Sequence, residues 1–478
     1  MAIHCRMCPD CLRHLRDKGR LEKRVRGLEA KVRSLQRQNA KLRRSPGEEP
    51  FGLSTPSSKL PVKPAAAEES RARKGGRPKG HPGRTRQAFG AEGADRVERV
   101  PLAEGVCPDC GLPLPASLEI RTREYLELER HRLNRIHCEM ESRRCPHCRT
   151  RVTASPTGVL PGEFFDNVLL ARLAVAHYLD NHTFGFLERH LGLGKSAIIQ
   201  ALQRLARRLG PMHPLILQQI RQAAVLFADE TTWRSDGVNG YTWALFADHS
   251  EAFLMRFSRA AWVATELFGE APLPGTAVTD RLASYNHIPI RRQFCYAHLK
   301  RDLEKILQDN PRSKEAQAFA ATVLPLLAAA MGLRAEPISD TEYYSQAQAL
   351  REQILEACRS QARLADVQNF QNLFRQQPHH LFHWVRDRAV PADNNRAERG
   401  VRPIVIARKI SQGTQSDTGM RTMEVLLTVL RTLHLRTGNA EKALTEILDA
   451  IARDPAVKVE TLLPAIPARS PPGAQAAA

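Results

Sequence analysis

Two short apolar runs that each stop at an aspartate constrain this chain more than any other feature. "AAVLFADETTW" leads to Asp229 and "GTAVTDRLASYN" leads to Asp280. Both have strand composition, and alternation along the first puts Val225, Phe227 and Asp229 on one face and Glu230 on the other. Between them, "SDGVNGYTWALFADHSEAFLMRFS" carries turn signals at Asp236-Gly237 and Asn239-Gly240 with two more strand-like runs, and "AAWVATELF" reads as a helix. The outcome is an α/β unit with two acids at strand ends. Adjacent carboxylates repel unless a cation lies between them, and oxygen ligands with open water positions suit Mg2+ or Mn2+. The chain holds 51 acids, so it is position and not number that carries this argument.

A third carboxylate stands in "DNNRAERGVRP", residues 393–403, just before the apolar run "IVIARKI". Two readings compete for Glu398. In one, Asn395 caps a helix and Glu398 reaches back to its N–H as a capping box. In the other, the helix brings Glu398 to the two aspartates, and the arginines around it contact phosphate. The upstream acids favour the second. Arg399, Arg402 and Lys409 then read as phosphate contacts, whereas Cys295 and His298 in "CYAHLK" read as packing and DNA-facing residues and not as ligands.

Charge points the same way. The 478 residues carry a formal net charge of +20, which predicts a polyanionic partner, nucleic acid or an anionic membrane. The membrane reading fails on length: "AFAATVLPLLAAAMGL" falls short of the roughly 20 residues a span needs and contains Pro325. "MAIHCRMCPDC" has no apolar core for a signal peptide, so a cytoplasmic protein is expected, with cysteines as thiols or metal ligands.

The N-terminal third divides into modules. Leu21, Val25, Leu28, Val32, Leu35, Asn39 and Leu42 form a heptad seam with asparagine at one a position, which favours a parallel, in-register homodimer. Next, "RARKGGRPKGHPGRTR" cannot bury a core, and its Arg71, Arg73, Lys74, Arg77, Lys79, Arg84 and Arg86 can lie along phosphates. Cys107 and Cys110 in "CPDCGLP", with Cys145 and Cys148 in "CPHCRT", make two knuckles that can complete a tetrahedral Zn2+ site, with Cys138 or His137 as substitute ligands. Strand-like sequence joins them, as in a zinc ribbon. Cys5, Cys8 and Cys11 have ligand spacing without a second knuckle. "FGFLERHLGLGKSAIIQALQRLARRLG" reads as a helix-turn-helix: Ser196 caps the second helix, Ile198, Ile199, Leu202 and Leu205 are buried, and Lys195, Gln200, Gln203, Arg204 and Arg207 stay available to DNA.

These residues together resemble the transposases of insertion-sequence family sixty-six. The resemblance rests on "FADET", "VTDRLASY", "RQFCYAHLKRDL", and "DNNRAERGVRPIVIARK" with "SDTGMRT", preceded in the same order by the zipper, "KGHPGR", the knuckles and the helix-turn-helix. It implies a multidomain α/β chain with a ribonuclease-H-like catalytic domain and an Asp-Asp-Glu triad at Asp229, Asp280 and Glu398. The strip "ISQGTQSDTG" departs from the aromatic-rich stretch expected there. The implied division is 1–44 Cys cluster and coiled coil, 45–95 basic linker, 96–160 zinc module, 161–222 helix-turn-helix region, 223–300 and 387–440 catalytic domain, 301–386 helical insertion, and 441–478 tail. The implied partners are double-stranded DNA, a second copy of the chain and element-encoded helper proteins. A non-catalytic DNA-binding regulator and a metal-dependent nuclease that cuts without joining stand as alternatives.

Overall fold

A central strand with almost every residue buried organises the molecule. The computed structural model describes residues 88–102, 105–116, 118–129 and 132–467; the zipper, the Cys5 cluster and the basic linker lie outside them. Strand β5 (Val225–Ser235) sits in the middle of a five-stranded sheet of order β7-β6-β5-β8-β9. It pairs antiparallel with β6 (Val238–Ala247), which pairs antiparallel with β7 (Ser250–Arg256). On its other side β5 runs parallel to β8 (Thr276–Thr279), and β8 parallel to β9 (Arg291–Phe294). The parallel step needs a crossover, which helix α5 (Ala261–Phe268) supplies.

Two sequence expectations change here. The run ending in Asp229 is not a strand end, because pairing with β6 extends β5 from Phe227↔Phe246 to Ser235↔Val238. Of the two turn signals only Asp236-Gly237 turns, with φ of 48° and 73° as a two-residue hairpin requires; Asn239-Gly240 lies inside β6.

Helices α1 (Asn167–Tyr178), α2 (Phe184–Leu191), α3 (Lys195–Leu209) and α4 (Met212–Arg221) precede the sheet. After it come α6 (Tyr296–Asp309), α7 (Lys314–Gly332), α8 (Asp340–Ala357), α9 (Ala365–Gln376), α10 (His383–Arg386), α11 (Asn395–Gly400), α12 (Arg402–Ser411), α13 (Asp417–Thr437) and α14 (Ala440–Arg453). Helix α13 covers the open edge of β7. Backbone N–H groups of Glu251, Phe253 and Met255 donate to Thr432 Oγ1, Thr428 Oγ1 and Glu424 Oε2 at 3.2, 3.1 and 2.9 Å. Residues four apart on a helix match residues two apart on a strand, so polar side chains of α13 satisfy an edge that would otherwise be a pairing hazard.

One apolar core joins α1, α3, α4, α13 and α14 to the sheet. Residues 441–453 are therefore not tail: Ala443, Leu444, Ile447, Leu448 and Ile451 of α14 are buried in that core. A second core, including Leu299, Leu303, Val323, Leu327, Tyr343, Phe374 and Trp384, belongs to the helical unit between β9 and α11. Within it the helical stretch Lys314–Ala335 is 22 residues long, so the length argument against a membrane span does not hold. Its Ala316, Ala320, Val323, Leu327 and Ala330 are nonetheless buried, in contact with α6 and α8.

A small sheet of β1 (Arg96–Val100), β2 (Glu119–Glu129), β3 (Arg132–Arg144) and β4 (Arg151–Thr153) has β3 at its centre. It joins the main core through Leu126, whose N–H and carbonyl bond to Phe164 and Asp166 at 2.8 Å.

Candidate active site

Parallel register brings the two aspartates together. The last pair of β5 with β8 is Phe227↔Val278, and Asp229 and Asp280 each stand two residues further on. Asp229 is buried and Asp280 half-buried, and carboxylate oxygens of Asp229, Glu230 and Asp280 lie within 4.8 Å of one another. Sequence reasoning sent Glu230 to the opposite face and missed it as a member. Glu230 is already engaged, accepting from Arg259 Nη2 at 2.6 Å and from the Tyr285 hydroxyl at 3.1 Å. It thereby ties the β7–α5 loop and the turn after β8 to β5. Asp280 accepts the N–H of Leu282 at 3.0 Å, and buried Arg292 of β9 donates to the Asp280 carbonyl at 3.2 Å. Burial brings the Arg292 guanidinium down to about 10, so it stays charged near neutrality. The set is three hard oxygen donors, which fits a divalent cation of the Mg2+ or Mn2+ kind.

Glu398 stands in a different group, with Cys295 and His298. It is not a capping residue. The N-cap of α11 is Asn394, not Asn395, with no side-chain cap bond, and the Glu398 carboxylate accepts from Arg301 Nη2 at 2.7 Å with His298 at 3.8 Å. Burial pushes the Cys295 thiol up to about 12, so it stays protonated, and it accepts the Asn394 N–H at 3.1 Å. Cys295 N–H in turn donates to Thr279 O, the residue before Asp280, at 3.0 Å. The backbone around all three acids is thus joined through Asn394 and Cys295.

Close packing sets the pose of α11. A Cβ on Gly400 would stand 2.3 Å from the Phe246 ring, so only glycine lets the helix lie this near β6. Arg396 turns inward to fully buried Glu251 at 3.1 Å, which Arg431 also holds at 2.8 Å. It is a positioning group and not a phosphate contact. Arg399, Arg402 and Lys409 are exposed and make no ion pair among the described residues. Arg408, between them in sequence, is buried and donates to the Thr232 carbonyl at 2.9 Å and the Thr231 hydroxyl at 3.2 Å, beside Asp229 and Glu230 on β5. The divergent strip after it docks on the β5 hairpin, with Thr414 N–H to Arg234 O and Asp236 N–H to Thr414 O, both 2.9 Å.

The helix-turn-helix expectation is partly redrawn. Gly192 ends α2 at φ 66°, but Gly194, not Ser196, is the N-cap of α3, and Ile199 is only half-buried. Lys195, Gln200 and Arg207 are exposed and Gln203 half-buried. Arg204 is spoken for: its guanidinium grips the buried Glu163 carboxylate with both arms, at 2.8 and 2.5 Å. Lys74, Arg77, Lys79 and Arg84 lie outside the described residues.

The four cysteine sulfurs of the small sheet converge. Cys107 and Cys148 Sγ are 3.4 Å apart, Cys110 and Cys145 Sγ 3.5 Å, and all four lie within 4.8 Å. A Zn–S tetrahedron with bonds near 2.3 Å has edges of roughly 3.8 Å, so the donor set fits zinc. The knuckles repeat one geometry. In each, the first cysteine's N–H bonds across the turn and its carbonyl accepts from a residue of positive φ, Gly111 at 68° or Arg149 at 61°. Contact with Thr150 draws the Cys148 thiol down to about 6. Cys138 lies in a separate apolar cluster and neither it nor His137 joins the group.

The mixed sheet gathers carboxylates where β5 and β8 run parallel, and the small sheet gathers four thiols at its two turns, so each carries a group able to hold a metal ion. Residues 162–422, more than half of the chain, match the transposase IS66 family, and the chain belongs to that family. It is also 24% identical over 299 residues to the uncharacterized protein y4jD of Sinorhizobium fredii (strain NBRC 101917 / NGR234), a match over 55% of this chain and 57% of that protein. The chain spans just over half the length of this relative.

Proposed function

We propose that this chain is a DNA transposase of an insertion sequence, binding terminal inverted repeats and catalysing metal-dependent strand cleavage and strand transfer. The observation that carries the reading is the register that sets Asp229 opposite Asp280 within a chain of the IS66 family. Strand order with two antiparallel and two parallel pairings supports a ribonuclease-H-like catalytic domain interrupted by the helical unit before α11. In this reading Asp229 and Asp280 would hold a divalent cation, and Glu398 would hold or orient a second. Mg2+ or Mn2+ held there would supply charge stabilisation to the attacking and leaving oxygens of an in-line displacement.

The reaction has two displacements. Water attacks the phosphorus of a phosphodiester at the element's end and expels the 3′-oxygen as a free 3′-OH, leaving a 5′-phosphate. That 3′-OH then attacks a target-strand phosphorus and displaces the target's own 3′-oxygen as a 3′-OH. Arg399, Arg402 and Lys409 hold the DNA backbone beside the carboxylates. The cysteine turns hold a structural zinc, α2 and α3 approach DNA, the basic linker neutralises phosphates, and the N-terminal heptads pair two copies so that two ends meet.

The test is nicking of a duplex bearing the element's inverted repeats, with and without Mg2+, followed by joining of the freed 3′ end to a second duplex. Asp280→Ala should abolish nicking and leave DNA binding intact. Near-normal cleavage by that variant would overturn the triad. Cleavage without joining would make the chain a nuclease, and binding without cleavage a regulator.

A further inference from the structure

Helix α2 carries a set of rings that the carboxylate site does not use. His182, Phe186 and His190 are spaced four residues apart, which aligns them along one side of the helix and its lead-in. The His182 and Phe186 ring centroids are 4.6 Å apart, and Phe186 stacks on His190 at 5.1 Å within 14° of parallel. All three are exposed, Phe186 by 38%.

The set stands on a rigid base. The His182 N–H donates to Ala176 O, and the His182 carbonyl accepts from His177 Nδ1, both at 2.8 Å. The His177 ring is itself stacked on Phe184 at 3.8 Å and edge-on to Tyr178 at 4.6 Å. Thr183 caps α2 by accepting the Phe186 N–H at 3.1 Å. Glu188, the one acid in α2, accepts the Lys195 N–H at 3.1 Å, and Glu188 and Arg189 are both exposed. A single phenyl between two imidazoles is a poor apolar dock for a protein. Exposed ring surface, with His182 tilted 45° to Phe186 and Phe186 stacked on His190, suits a planar partner on a polyanionic backbone in a chain of net charge +20.

We propose that His182, Phe186 and His190 form a stacking platform for unpaired nucleobases of DNA, an inference that rests on the DNA-processing reading above. A paired duplex hides its base faces, so the platform acts on frayed, kinked or cut ends. Pairing of Arg204 with Glu163 agrees with this, because it removes from α3 the guanidinium best suited to reading base edges.

The experiment measures binding of the full chain to a paired duplex and to the same duplex with a short forked end carrying 2-aminopurine in an unpaired position. Wild type should prefer the forked end and quench the fluorophore. Phe186→Ala should lose roughly 5- to 150-fold in affinity for the forked end, the range one base–ring stack supplies, and lose the quench. Phe186→Trp should keep both. Affinity for the paired duplex and its salt dependence should stay unchanged, because no phosphate contact is removed. A Phe186→Ala protein that binds and quenches the forked end like wild type overturns the platform while leaving the DNA reading in place. Failure of wild type to bind either DNA removes the DNA reading itself, and the platform with it.

Discussion

The side-chain amide of Asn394 donates to the backbone carbonyl of Ala228 at 2.9 Å. The residue that starts the Glu398 helix is therefore bonded to the residue before Asp229, and its N–H bonds to Cys295. Asn394 is fully buried, so this bond is made away from water. Asn394→Ala should cost about 1–3 kcal/mol, the penalty of leaving the Ala228 carbonyl unsatisfied. Metal-dependent nicking should fall even at temperatures where the variant stays folded. Asn394→Asp should be worse, because a carboxylate oxygen would face that carbonyl. Thermal unfolding with nicking rates checks both, and full activity in Asn394→Asp would show that the bond does not position α11.

Glu230 stands with the two aspartates and Glu398 with Cys295 and His298, and their charged partners differ too. Glu230 is buried and holds Arg259 and Tyr285, so Glu230→Gln should mainly lower stability. Glu398 pairs with the half-exposed Arg301 and His298, so Glu398→Gln should leave stability nearly unchanged and abolish cleavage. Denaturant unfolding and nicking on the two variants separate them. The reverse pattern would exchange their roles.

Thr428 of α13 accepts the Phe253 N–H on the sheet edge at 3.1 Å. Thr428→Val keeps the shape and removes the acceptor, at a cost of about 1–3 kcal/mol for a buried unsatisfied N–H. Hydrogen exchange at Phe253 should speed up. Unchanged exchange would mean that α13 does not seal this edge.

Asp166 caps α1, accepting the Leu169 N–H at 2.8 Å, and burial pushes its carboxyl up to about 7 from an ordinary 3.8. The folded state then binds a proton that the unfolded state releases above pH 4. This contribution is present in acid, declines as pH rises from about 4 to about 7, and amounts to roughly 4 kcal/mol at most. Asp166→Asn should flatten that part of the stability profile. Parallel wild-type and variant curves between pH 4 and 7 would disprove it.

The four converging thiols predict one tightly held zinc per chain. Cys148→Ser should lose the metal and loosen the small sheet, read as faster hydrogen exchange in β3 and β4. Metal content unchanged by this variant would move the site elsewhere.

Short-range pattern made much of this site legible. The runs ending in Asp229 and Asp280, the two cysteine turns and the helix after Asn394 all follow from spacing and alternation within about ten residues. What spacing could not show was decided by partners far away in sequence. Strand β5 runs on past Asp229 because β6 pairs with it along its length. Arg204 turns inward because Glu163, 41 residues earlier, is buried and must be neutralised. Arg396 turns to Glu251 for the same reason, whereas Arg399 and Arg402, three and six residues further on, remain exposed. Local sequence determined which residues could form strands, turns and ligand sets. Only tertiary structure decided which charges face solvent and which are paired inside, because a buried charge is tolerated only where the fold brings it a partner.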